Sequence, residues 1–456
     1  MLHKIISNTN QYKKTSSSEE QKEKGQFFTS LNTAKIMGDW YIPNSRNIKI
    51  LEPGAGNGSL TAATVIHLVE NDLCDSLEIT YVENDRDVIV VLRKTVKLIK
   101  NYCAQNNIIC HISIMEDNYI LTDFQEKYDL IICNPPYKKI RKNSEESIKM
   151  SKFVHGQPNL YALFMAKSVD LLNNNGSFIF ITPRSWTSGS YFSKVRTYLA
   201  KELSYNKIHI FNDRDKSFSD ESVLQEAMIL FAQRSSYQQY NITISISDND
   251  YFKSTDEFNI EATKIKNIGK NKYLLIPTKK EEAELIGVMN SFPDTFFSLG
   301  YIFKTGPVVE FRNKNMISTL KKSDSIPMYR SLNISNENFV FPVETSKAQY
   351  ISLNADNLLI RNENTVLIRR LSAKEDDKRI QSCIYYKQGD NLFISIENHV
   401  NYVSRKDGKP LSADEVEWIQ ALLSSEEYDT FFRLLNGSTQ VNANELNYLP
   451  VRSRAI

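Results

Sequence analysis

Short apolar runs alternate with amphipathic stretches through the first half of the chain. Residues 48–51, 77–82, 108–115, 128–133, 177–182, 207–211, 228–232 and 243–247 read as strands. Between them, helical spacing runs from Thr33 through Ile36, Met37 and Trp40, and then over 60–69, 87–101, 160–172 and 190–203. In 87–101 it puts Val88, Val91, Leu92 and Val96 on one face. Repeated β-α-β predicts an α/β fold, a Rossmann-like, mostly parallel sheet with helices on both faces. The alternation fades near residue 250. Beyond it, irregular short strands and a late helix pair, 413–423 and 427–435, predict a second domain of mixed α+β type. The expected division is a flexible tail over 1–20, an α/β domain over 21–254 and the second domain over 255–456.

Composition narrows the class. The chain has 456 residues, 41% of them hydrophobic, with a net charge of only +2. That suits a globular protein whose bulk charge announces no nucleic acid, so any such surface needs locally segregated cations. No apolar run approaches the ~20 residues of a membrane span. The polar start of the chain lacks the apolar core of a signal peptide, so the default expectation is cytoplasmic, with no membrane partner. The five cysteines form no Cys-x-x-Cys pair, and no metal site is expected. Cys133 reads as an inward-packing strand residue.

The chemistry concentrates at strand ends, where open α/β sheets bind ligands. The strand at 128–133 runs into Asn134-Pro135-Pro136-Tyr137. Two prolines stiffen the turn. The Asn134 side-chain oxygen and the Pro135 carbonyl offer two acceptors, and Tyr137 offers a flat face. This set suits a planar amine; the plain alternative is a stiff turn with a packed tyrosine. The strand at 48–51 runs into Glu52-Pro53-Gly54-Ala55-Gly56-Asn57-Gly58 and then a helix. That spacing is neither Gly-x-Gly-x-x-Gly nor a Walker A loop. Glu83, followed by Asn84, ends the second strand, and Asp117 follows the third. A carboxylate at the first position can hold ribose hydroxyls, and one at the second an adenine amine. Either alone is as readily a turn former. Lys138, Lys139, Arg141 and Lys142 follow the tetrapeptide as a basic segment.

This order of motifs resembles the S-adenosylmethionine-dependent methyltransferases, and within them the gamma class of adenine-N6 DNA methyltransferases. Glu52 to Gly58 is similar to their cofactor loop, and Glu83 and Asp117 to their ribose and adenine acids. The tetrapeptide is similar to their catalytic motif. Gly25, Phe28 and Thr29 resemble an upstream cofactor-binding segment, although Thr29 is equally a helix N-cap. Residues 159–164 and 176–183 resemble the next family segments, and Phe218 a second aromatic against the target base. Segments 304–309 and 436–442 resemble type II restriction-modification enzymes that recognise CTGCAG.

The resemblance implies S-adenosyl-L-methionine as cofactor and double-stranded DNA as partner. It also implies a cognate restriction endonuclease, a monomer on DNA, and transfer to N6 of a flipped-out adenine. It casts the second domain as a target recognition domain. Lys304, Arg312, Arg330 and Arg433 are the DNA-contact candidates there, beside Lys138, Lys139, Arg141 and Lys142. Cytosine-N4 methylation, glutamine-N5 methylation of a protein, and a non-catalytic DNA-recognition subunit are the alternatives. Asparagine at the first motif position favours adenine over cytosine.

Overall fold

The computed structural model describes residues 1–15, 28–211, 227–235, 237–247, 255–266, 272–373, 376–435 and 439–452. Gly25 and Phe218 lie outside them. The chain forms two compact units, Met1–Thr278 and Lys279–Ile456.

The first unit is built on one nine-stranded sheet. Its strands are β1 (Asn47–Pro53), β2 (Ser76–Val82), β3 (Ile109–Met115), β4 (Tyr128–Cys133), β5 (Leu172–Pro183), β6 (Leu203–Phe211), β7 (Ala227–Arg234), β8 (Asn241–Ser247) and β9 (Thr255–Glu261). They lie in the order β3-β2-β1-β4-β5-β7-β6-β8-β9. Neighbours from β3 to β5 are parallel, and β7 inserts antiparallel between β5 and β6. The sequence reverses direction across β1 and β4, so their carboxyl ends open on one crevice. The expected α/β fold is what forms.

Helices α1 (Leu2–Thr15), α2 (Leu31–Asp39), α3 (Ser59–Glu70), α4 (Arg86–Gln105), α5 (Leu160–Leu171) and α6 (Ser193–Glu202) belong to this unit. α4 starts where the Asp85 side chain accepts from the amides of Asp87 and Val88, and it buries Val88, Val91, Leu92, Thr95, Ile99 and Cys103. This is the i, i+3, i+4, i+7 stripe of a helix with one dry face.

Two expected boundaries need correction. The tail over 1–20 instead carries α1 over Leu2–Thr15, whose Ile5 is fully buried in the core beneath α3 and α4. Its apolar positions were too sparse among Asn, Lys and Ser to stand out along the chain. The first unit also extends past 254, because β9 pairs antiparallel with β8 along its whole length. A hairpin partner with Glu257, Asn259 and Glu261 on one face and only Phe258 and Ile260 as apolar residues gave no clear strand signal.

The second unit is mixed α+β, as expected. Tyr301–Thr305, Val400–Arg405, Thr365–Arg369 and Ser382–Tyr385 form a four-stranded antiparallel sheet in that order. A five-stranded sheet of shorter strands centres on Ser325–Tyr329 and Phe393–Ile396. The late helices α7 (Ala413–Ser424) and α8 (Glu426–Leu435) fall where helical spacing put them. No helix among the described residues is long and apolar enough to cross a membrane.

Candidate functional site

The carboxyl ends of β1, β2, β3 and β4 surround a cavity of about 560 Å3. That is the size of a small-molecule or cofactor site. Each strand delivers a different group to it. β1 delivers Gly54 and Gly56, β2 Glu83 and Asn84, β3 Asp117, and β4 Asn134 and Pro136. Residues scattered over 28–164 thus meet in one space.

Gly54 and Gly56 have φ of +63° and +55°, a left-handed backbone that disfavours a side chain. A Cβ on Gly56 would reach within 3.5 Å of the Phe28 ring, which roofs the loop. Gly58 is left-handed as well, at φ +73°, and also serves packing: a Cβ there would sit 2.8 Å from Leu92 of α4. Gly58, Pro53 and Ala55 do not line the cavity.

Glu52 is also absent from the lining. Its fully buried carboxyl lies under the loop and accepts from the Thr61 amide of α3 at 3.0 Å. Burial, reinforced by the nearby Glu83, pushes its pKa up to about 8. Glu52 therefore anchors the loop to the helix and does not face a ligand.

Glu83 is the centre of the amide network. One oxygen accepts from Gly56 N at 2.9 Å, the other from Asn84 N and Asp85 N at 2.9 and 3.0 Å. Burial raises its pKa despite these donors. Asp117 sits at the exposed rim, where its Oδ1 accepts from the Asn118 amide at 2.7 Å.

Thr29 does not cap α2. Ser30 does, accepting from Thr33 N at 3.2 Å. Thr29 turns inward, and its hydroxyl accepts from Asn134 Nδ2 at 3.0 Å. That contact fixes the amide so that Oδ1 is its accepting end. Pro135 is buried, and the Tyr137 hydroxyl donates to the Ile181 carbonyl of β5 at 3.3 Å. Tyr137 and Pro135 lie beside the cavity and not in its wall. Cys133 packs inward as expected, fully buried, its thiol on the Pro53 carbonyl at 3.0 Å.

Several wall residues escaped the sequence reading. Leu160 and Phe164 project from α5 one turn apart, and Ile140 joins them. Nothing in an apolar i, i+4 pair separates a ligand wall from core. Lys167 is buried in α5 and donates to the carbonyls of Tyr119, Ile120 and Thr122 at 2.5, 3.0 and 2.5 Å. It ties down the loop that follows Asp117, and burial lowers its pKa to about 8.

The basic candidates divide. Lys138, Lys139, Arg141 and Lys142 are all exposed, and Lys138 reaches the cavity rim. Lys304 and Arg312 are exposed in the second unit. Arg330 and Arg433 are corrected to structural residues. Arg330 is 5% exposed, with its guanidinium on the Ala348 carbonyl and the Glu310 carboxylate. Arg433 bonds Asp429 and the carbonyls of Asp376 and Asp377. A guanidinium spent on internal acceptors has little left for a phosphate.

The Eco57I restriction-modification methylase family model matches residues 70–218. The type II methyltransferase M.PstI of Providencia stuartii is 31% identical over 94% of this chain and 87% of its own. The type II methyltransferase M.BsuBI of Bacillus subtilis is 30% identical over 95% and 88%. A nuclease-deletion mutant of the type ISP restriction-modification enzyme LlaGI, solved with a DNA substrate mimic, shares the fold at a TM-score of 0.52. The match covers 93% of this chain and 52% of that one, with 12% identity.

Proposed function

Because the chain belongs to the type II DNA methyltransferase family of M.PstI and M.BsuBI, we propose that it methylates N6 of a flipped-out adenine in duplex DNA. S-adenosylmethionine is the methyl donor. The observation that carries the reading is the single cavity joining Gly54, Gly56, Glu83 and Asp117 to Asn134 and Pro136 of the tetrapeptide.

The residues fit that cofactor. The left-handed glycines let the backbone approach a ligand closely. Glu83 and Asp117 stand on adjacent strand ends, where a ribose and an adenine amine need acceptors. Leu160 and Phe164 supply an apolar wall. When bound, the cofactor offers an electrophilic methyl group on a sulfonium.

Asn134 Oδ1 and the Pro135 carbonyl accept the two protons of the target amine. This draws the nitrogen towards a tetrahedral shape and aims its lone pair for in-line attack. The same two acceptors would hold the amine while the methylated nitrogen gives up its extra proton to solvent. No strong base is needed before attack. Thr29 keeps the Asn134 amide from turning. Tyr137, tethered to Ile181, stacks on the extruded base and offsets part of the unstacking cost. Lys138, Lys139, Arg141 and Lys142 contact phosphates, and the second unit recognises the target as a monomer on DNA. A cognate endonuclease completes the system.

The test is transfer of labelled methyl groups to duplex DNA followed by nucleoside analysis. N6-methyladenine is expected. N4-methylcytosine, label on protein, or no label would overturn the reading.

A further inference from the structure

The second unit carries a short chain segment unlike the rest of its surface. From Phe311 to Ser323 there are four cations, Arg312, Lys314, Lys321 and Lys322, and no acid. All four are exposed. Interleaved with them are exposed apolar side chains, Phe311 at 69% and Leu320 at 75%. The Arg312 guanidinium lies 5.3 Å from the Phe311 ring centroid. Cations set among flat or apolar groups suit phosphates and bases together.

A second feature adjoins it. Glu397 is 1% exposed, yet its carboxylate is spent on one residue. Oε2 accepts from the His399 amide at 3.0 Å, and Oε1 lies 2.5 Å from His399 Nδ1. The imidazole side chain remains 48% exposed. A carboxylate on Nδ1 sets the tautomer and fixes the ring, leaving Nε2 as its other polar atom.

Backbone lacing makes the two features neighbours. Asn398 N donates to the Val308 carbonyl at 2.8 Å, Val308 N to Ile396 O at 3.1 Å, and Gly306 N to Val400 O at 2.8 Å. A Cβ on Gly306 would lie 2.3 Å from the Glu397 carbonyl, so only glycine permits this approach. Buried Arg330 pairs with Glu310, the residue just before the segment.

We propose that the 397–399 turn and the 311–323 segment are the duplex-reading surface of the second unit, with His399 Nε2 on a base edge and Arg312 on the backbone. This rests on the proposed DNA methylation. A ring held by a buried carboxylate is pre-organised, as base readout requires, whereas a freely rotating lysine is not. The competing role for His399 is only to satisfy Glu397.

The test uses the full chain. Methylated motifs are mapped by modified-base sequencing of DNA from cells expressing the parent, H399A or H399Q. Methylation of matched and single-mismatch duplexes is then compared in vitro, with fold followed by circular dichroism. H399A should accept substitutions at one position of the site, lowering discrimination there about tenfold or more. H399Q keeps a donor for Glu397 while replacing the imidazole, so it too should shift preference, even if H399A misfolds. R312A should weaken duplex binding without changing the motif and lower the salt slope by about one. An unchanged motif and discrimination ratio in folded H399Q, or an unchanged salt slope in R312A, would overturn the proposal. A parent chain that methylates no DNA would instead overturn the proposed activity. Duplex binding by R312A would still decide this surface.

Discussion

The Glu83 carboxylate accepts from the Gly56 amide at 2.9 Å, binding the end of β2 to the glycine turn that follows β1. It does so while also accepting from Asn84 and Asp85, so one side chain shapes two walls of the cavity. In Glu83→Gln an NH2 group replaces one accepting oxygen and must face amide donors. We expect cofactor affinity to fall about tenfold or more, since breaking a charge-assisted bond of this kind costs roughly 1.5–3 kcal/mol. Calorimetric titration with S-adenosylmethionine measures it; unchanged affinity would contradict the role.

Asn134→Ala removes the side-chain acceptor and leaves the backbone of the turn in place. Methyl transfer is expected to drop by roughly two to three orders of magnitude, in line with loss of one pre-organised polar group. Cofactor binding should change far less. Single-turnover transfer measured beside cofactor titration separates the two, and equal losses in both would sink the assignment.

Helix α1 is tied to the cofactor loop by a buried bond from Asn57 Nδ2 to Thr9 Oγ1 at 2.9 Å. Its Tyr12 ring meets Phe28 edge-on at 6.0 Å. Thr9→Val keeps the shape but strands the Asn57 donor, at a cost of about 1–3 kcal/mol. The expected signature is a melting point lower by about 2–4 °C for each kcal/mol lost, together with weaker cofactor binding. A melting shift with cofactor affinity intact would make α1 a stability element alone.

The raised Glu52 pKa gives a pH dependence of definite sign. Its ordinary value of 4.5 lies below the folded value of about 8, so the folded state holds the proton more tightly. This stabilisation is complete below about pH 4.5 and disappears as pH rises through about 8. Glu52→Gln cannot ionise and keeps an acceptor for Thr61. The melting point of the parent minus that of E52Q should therefore fall between pH 5 and pH 9. Lys167, with its lowered pKa, is common to both proteins and cancels in the difference. A flat difference would show that Glu52 titrates normally.

Lys138, Lys139, Arg141 and Lys142 are exposed beside the tetrapeptide. Neutralising each to Gln should weaken duplex binding evenly across sequences, and each true phosphate contact should lower the salt slope by about one. Binding measured over a range of salt gives the slope directly. A slope unchanged in the fourfold variant would remove this segment from the DNA contacts.

The strands, the main helices and the groups at the strand ends were legible along the chain because their causes are local. Alternation of two or near 3.6, a glycine turn after an apolar run, and an acid at a strand end are each contained in a few neighbouring residues. Glu83, Asp117 and Asn134 could be named without coordinates for that reason. Pairings across long separations had no such trace. Only folding brought Thr29 to Asn134, 105 residues away, and Thr9 to Asn57, 48 residues away. It also decided which charges stay free for a partner: Arg330 and Arg433 find acceptors inside the second unit, while Arg312 remains exposed. Glu52 shows the same division within a single motif. Its place in the loop was set by sequence, but its turn inward onto Thr61 was set by how β1 packs against α3. Chain order thus supplied the inventory of the site, and long-range packing decided which members of that inventory face the cavity.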